Sequence, residues 1–224
     1  MAITFLQAVN RTLVKLRESE VTTLNGADEY VKLIAAFVNE AKDEIETAWQ
    51  WNSLRSSVTI TTVAGTGTYS LTGMGEEFII ESILDTTNNT SLYGPSPNFY
   101  VDRSELTTIL SNAGAPYHAD LVGVDSVGDP IMRLTPTPSS DGVVIRVYGR
   151  IKQAYLETSS DSATLIKLPW RPVVFLAYMK ALSERGEDGG APYDEASQAY
   201  ERALGTAIGL DNRNNHVNTD WYAE

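Results

Sequence analysis

The sequence predicts an α+β protein: an α-helical bundle built from both chain ends, with an inserted antiparallel β-sandwich or barrel module and a flexible C-terminal tail. Three observations carry this prediction. Between residues 37 and 71 an amphipathic helix pattern gives way abruptly to alternating β sequence, with Trp49 and Trp51 just before the joint. Helical periodicity returns after Pro169. Neither terminal helix pair carries enough apolar surface to close a core alone, so the two pairs are expected to share one. The predicted organisation is residues 1–55 and 161–208 as the two halves of the bundle, 56–160 as the inserted β-rich module, and 209–224 as the tail.

Each element has its own signal. Phe5, Leu6, Val9, Leu13 and Leu16 recur at helical spacing, giving one apolar face from about Thr4, a candidate N-cap, to Glu18. Turn residues at Thr22 to Gly26 precede a second helix. Its apolar face runs through Tyr30, Leu33, Ile34, Phe37, Val38, Ala41, Ile45, Ala48 and Trp49, with Lys32, Asn39, Glu40, Asp43 and Glu46 opposite. Trp49 is expected in the core, and Trp51 as a seal between bundle and β module, with ligand stacking as its alternative use.

In the middle, Val58, Ile60 and Thr62 alternate with Thr59, Thr61 and Val63, and a Gly65-Thr66-Gly67 turn predicts a hairpin to Thr68–Leu71. Phe78–Leu84, Tyr117–Val124, Ile131–Leu134 and Val143–Tyr148 are further strand candidates, punctuated by Gly and Pro. A short helix is expected over Ser104–Ser111. Pro169-Trp170-Arg171-Pro172 opens a third helix, because proline is tolerated in the first turn, and Gly186 is its expected stop. Pro192 opens the last helix, with Tyr193, Ala196, Tyr200, Ala203, Leu204 and Ala207 on one face.

Composition excludes several function classes. The chain has no cysteine, which removes disulfide and thiol chemistry and suits a reducing cytosol. No segment has the length of a membrane span, and the N-terminus lacks the apolar run of a signal peptide. A net charge of −12 without a Lys/Arg cluster argues against sequence-independent nucleic-acid binding. The acidity suits solubility, or a surface past which nucleic acid slides.

No catalytic, cofactor or metal site emerges. His118 and His216, the only histidines, lie far apart without partners at metal-ligand spacing. Asp125 and Asp129 flank a turn that lacks the ligand pattern of a calcium loop. Glu76, Glu77, Glu81 and Asp85 are the carboxylates that glycosidase chemistry would draw on, but an acidic chain always supplies such groups. The Gly65 and Gly73 motifs lack the lysine or helix of a phosphate loop. The tail differs: Trp221 and Tyr222, with His216 and Val217, end a polar, asparagine-rich segment that has no local core to receive them. They are the candidate partner-binding residues.

The segments TFLQAVNRTLVKLRE and YVKLIAAFVNEAKDEIETAWQWNSLR, followed by threonine-rich β sequence with GTGTYSL and the returning Pro-Trp-Arg-Pro helix, resemble the head-to-tail adaptors of short-tailed bacteriophages, the connector or tail tubular protein A type. The resemblance covers most of the chain. It implies a non-enzymatic virion protein at the head–tail junction, assembled in the host cytoplasm. It further implies a dodecameric ring that joins the portal protein to the tail nozzle protein, with tail fibres as further neighbours. Such a ring extends the channel through which genomic DNA passes without specific binding, serving genome retention and ejection. By position, Gly209–Glu224 is the portal-docking element. The alternatives are a tail component that binds or hydrolyses cell-surface polysaccharide through the β module, and another head-completion or tail-terminator protein.

Overall fold

The computed structural model describes residues 2–75, 77–94, 113–187 and 190–213. The expected helix at Ser104–Ser111 and the residues His216, Val217, Trp221 and Tyr222 lie outside them. The chain forms two compact units, one from residues 1–54 and 153–224 and one from Arg55–Lys152.

In the helical unit, α1 (Phe5–Lys15) starts at a capping box: the Thr4 hydroxyl accepts from the Gln7 N–H, and the Gln7 side chain accepts from the Thr4 N–H. Helix α2 (Glu29–Ala48) is capped by Asp28, whose carboxylate accepts from the Val31 N–H at 2.8 Å. Helix α3 (Trp170–Glu184) holds Pro172 in its first turn and ends at Gly186 (φ 75°), with the Glu187 N–H reaching back to the Leu182 carbonyl. Helix α4 (Ala191–Arg213) continues past Gly209, so the first residues of the expected tail are helical. Helix α3 packs against α1, α2 and α4. Phe5, Leu13, Ile34, Ile45, Val173 and Ala177, all buried, join both chain ends in one core.

The tryptophan pair differs from expectation. Trp51 is 1% exposed inside the helical core and donates from Nε1 to the Ile45 carbonyl at 2.6 Å. Trp49 is the half-buried C-cap residue of α2. Helix α2 ends at Ala48, and with the extended backbone of Trp49 (ψ 158°) its ring packs at the margin of the helical core, only partly buried.

In the other unit, β1 (Arg55–Thr61), β3 (Phe78–Asp85), β4 (Thr90–Leu92) and β9 (Val144–Ile151) form one antiparallel sheet in the order β1-β9-β3-β4. A second antiparallel sheet orders β2 (Thr68–Ser70), β7 (Pro130–Thr135) and β6 (His118–Val124) as β2-β7-β6. A short parallel pair joins β5 (Ala113–Gly114) to β8 (Thr137–Pro138). Ile60, Ile83, Ile145 and Val147 from the first sheet share a core with Ala119, Met132 and Leu134 from the second, as in a sandwich.

The predicted Val58–Leu71 hairpin does not form. Its arms belong to different sheets, β1 on β9 and β2 on β7, and the Gly65 turn (φ 79°) carries the chain across. Long-range pairing takes the two arms apart: β1 pairs with β9 along all of its residues and β7 takes β2, and Ile60, Leu71 and Met132 lie together in the shared core. The unit's two ends meet in register, Arg55 opposite Arg150 on adjacent strands.

Gly149 lies on the central strand β9, between Ser56 and Ile80. A Cβ there would collide with the Ile79 carbonyl oxygen, which rigid backbone pairing keeps from moving away. Gly149→Ala is therefore expected to destabilise the protein by about 1–3 kcal/mol in urea denaturation; an unchanged midpoint would contradict this packing.

Candidate functional site

Helix α2 turns a row of polar side chains inward. Asn39 Nδ2 donates to the Leu156 carbonyl at 3.2 Å, and the Leu156 N–H donates to Asn39 Oδ1 at 2.9 Å. Lys42 Nζ donates to the Gln153 carbonyl at 2.5 Å and lies 3.4 Å from Glu46 Oε2, while the Gln153 N–H donates to Glu46 Oε1 at 3.2 Å. All three side chains are buried. Sequence reasoning put Asn39 and Glu46 on the solvent face. The segment at 153–156, which re-enters the helical unit with no strand partner for its backbone, covers them instead. The only available signal was their helical spacing with Lys42.

Other carboxylates hold the same unit together. Asp161 accepts from the Leu24 N–H and from the Thr23 hydroxyl, fixing the α1–α2 connection. Asp211, near the end of α4, accepts from Trp49 Nε1 at 3.2 Å and from the Asn52 N–H at 3.3 Å, and its carbonyl takes Asn52 Nδ2 at 3.2 Å. The C-terminal end of α4, from which residues 214–224 depart, is thereby anchored to the end of α2.

A cavity of about 800 Å³ lies beside α4 in the helical unit, its walls including Trp51, Pro169, Trp170, Phe175, Ala203 and Leu210. The Arg11 guanidinium stacks on Trp170 at 3.9 Å, and the Lys15 ammonium lies 4.2 Å over Phe175. Burial lowers the Lys15 pKa, with Glu195 opposing. Trp51 lines this cavity, but its ring is almost wholly buried and its indole N–H is already used, which leaves little of it for a stacking ligand.

The carboxylates of the β unit are engaged structurally. Glu81 pairs with Arg150 at 2.7 Å and Arg55 at 3.3 Å, and Glu77 pairs with Lys152. Asp85 caps a turn through the Thr87 and Asn88 N–H groups. Asp125 accepts from Ser70, Val127 and Asp129, and its pKa is lowered mainly by the Ser70 hydroxyl. Asp129 binds the Gly73 and Gly75 N–H groups. Together these bonds fix the β6–β7 hairpin, which exposes Val122, Val124 and Val127. His118 is buried against Asp120 at 2.8 Å. Glu76 lies outside the described residues. Among the described residues no His, Cys, Asp and Glu side chains group as metal ligands, and no helix is long and apolar enough to cross a membrane.

The model of one protein family, the SU10 adaptor protein, matches residues 3–220. No curated protein matches the chain. With nearly its whole length matched, the chain belongs to the SU10 adaptor protein family, and its sequence resemblance to phage head-to-tail adaptors holds.

Burial raises the Glu46 carboxyl above its ordinary 4.5, and Lys42 and the Gln153 N–H offset this only in part. A raised folded-state pKa means that the native chain holds this proton more tightly than the unfolded one. The contribution is complete below about pH 4.5 and is lost as pH rises through the raised value. Glu46→Gln removes that dependence. Wild-type stability relative to the variant should therefore fall as pH rises above about 4.5 in urea titrations, and a flat or rising difference would contradict the assignment.

Proposed function

We propose that this SU10-family adaptor assembles as a ring, dodecameric by its resemblance to head-to-tail adaptors, between the portal protein and the tail nozzle protein. The ring extends the DNA channel at the head–tail junction of the virion and serves genome retention and ejection. The family match over residues 3–220 is the observation that carries this reading. The geometry supports it in two further ways. Both chain ends build one helical unit tied by buried polar bonds, which suits a rigid ring segment. The β6–β7 hairpin offers exposed valines on a turn held by Asp125 and Asp129, an apolar contact for the nozzle, a tail fibre or a neighbouring copy.

The docking element on the portal is residues 214–224, beyond the end of α4, with Trp221 and Tyr222 as anchors and His216 and Val217 beside them. Aromatic anchors that enter a partner's pocket carry most of the binding energy of a docked segment. A net charge of −12 per subunit, repeated around a ring, keeps DNA from adhering to the channel wall.

Replacing both anchors, Trp221→Ala with Tyr222→Ala, should leave a folded protein whose capture by the portal protein of the same genome is weakened by at least about 30-fold, the loss expected for even one aromatic hot spot. Sedimentation of the mixture measures this. Capture at the wild-type level would overturn the assignment of these residues.

A further inference from the structure

The cavity beside α4 has a charge character opposite to that of the chain. Lys167, Arg171 and Arg202, all exposed, stand at its rim in a protein with 17 Lys and Arg against 29 Asp and Glu. Among the described residues none of these three is in an ion pair. The one acid on the lining, Asp211, already accepts from Trp49 and Asn52. The walls are aromatic and apolar, and Leu210 at the edge is 57% exposed. At about 800 Å³ the space suits a peptide with large side chains. Aromatic rings would fill the floor and acidic groups would meet the rim.

The same chain carries such a peptide. Asp220-Trp221-Tyr222-Ala223-Glu224 sets two adjacent aromatics between two acids, and it follows α4 by a short connection. Extended, residues 213 to 221 reach roughly 26–29 Å. The stretch of α4 that lines the cavity, from Ala199 to Leu210, is about 16 Å long. A chain that reverses after Arg213 therefore covers the whole groove with length to spare.

We propose that, before assembly, Asp220–Glu224 lies in this groove of its own chain, Trp221 and Tyr222 on the apolar walls and Asp220 and Glu224 against Lys167, Arg171 and Arg202. The proposal rests on the reading that Trp221 and Tyr222 dock on the portal, and adds to it. The same two rings cannot occupy groove and portal at once, so the groove holds the tail out of unproductive contacts until the portal competes for it. The intramolecular alternative lowers the apparent affinity for the portal by the fraction of subunits with the tail released.

The test uses the full chain, which has no native cysteine, with a single nitroxide at Thr219→Cys. The expected spectrum is immobilised and independent of dilution. Arg171→Glu with Arg202→Glu should render the label mobile, and adding Asp220→Arg with Glu224→Arg to that background should immobilise it again. Where the groove variant fails to fold, Trp221→Ala with Tyr222→Ala serves instead and should also free the label. A mobile label in the otherwise native chain, immobilisation that disappears on dilution, or immobilisation untouched by these substitutions would overturn the proposal. Portal capture by the same variants separates this result from the docking reading. The groove variant should still be captured, whereas loss of capture only on tail substitution belongs to docking and is independent of the label.

Discussion

Three buried polar side chains on α2, Asn39, Lys42 and Glu46, hold the chain where it re-enters the helical unit at Gln153. The segment at 153–156 is irregular, so its backbone N–H and C=O groups have no ladder to satisfy them. Left unpaired in a buried position, such groups cost about 1–3 kcal/mol each. The Asn39 amide supplies donor and acceptor to Leu156 at once, and the Lys42–Glu46 pair does the same for Gln153. Leu156, 1% exposed, is thereby set into the helical core. Everything that follows in sequence starts from this fixed point: the Asp161 contact to the α1–α2 connection, the pairing of Ile166 with Ile3, and the entrance to α3.

An insertion of this kind imposes a matching constraint on the β unit. Its first and last long strands, β1 and β9, are neighbours, with Arg55 opposite Arg150, so the unit closes on itself where the chain enters and leaves. Glu81 reinforces that corner by pairing with both arginines. A second anchor lies just beyond the C-terminal end of α2, where Asp211 ties α4 to Trp49 and Asn52. The last described turn of α4 is therefore held against the end of α2. That arrangement is compatible with the chain's membership of the SU10 adaptor protein family.

Much of the fold was legible because burial on helices leaves a periodic trace. Val9, Leu13, Ile34, Val38 and Ile45 fall on the predicted stripes, and Thr4, Pro172 and Gly186 mark helix ends by local chemistry that needs no tertiary context. The misses share one cause, namely partners distant in sequence. Asn39 and Glu46 read as solvent-facing until residues 153–156 are laid over them, and Trp51 rather than Trp49 is the fully buried ring of the helical core because α2 ends before Trp49. The hairpin from β1 to β2 looked local, but strand choice was decided by β9 and β7, far along the chain. The groove beside α4 was illegible for the same reason: Trp51, Trp170 and Leu210 come from three separate segments. The tail residues were nominated by composition alone, and their role is argued on binding chemistry rather than on geometry.

The adaptor reading is tested most directly by imaging this protein, mixed with the portal protein encoded in the same genome, by electron microscopy. The account predicts a closed ring stacked on the portal, with the helical units packed around the channel. A correctly formed portal ring that never carries this protein would contradict it.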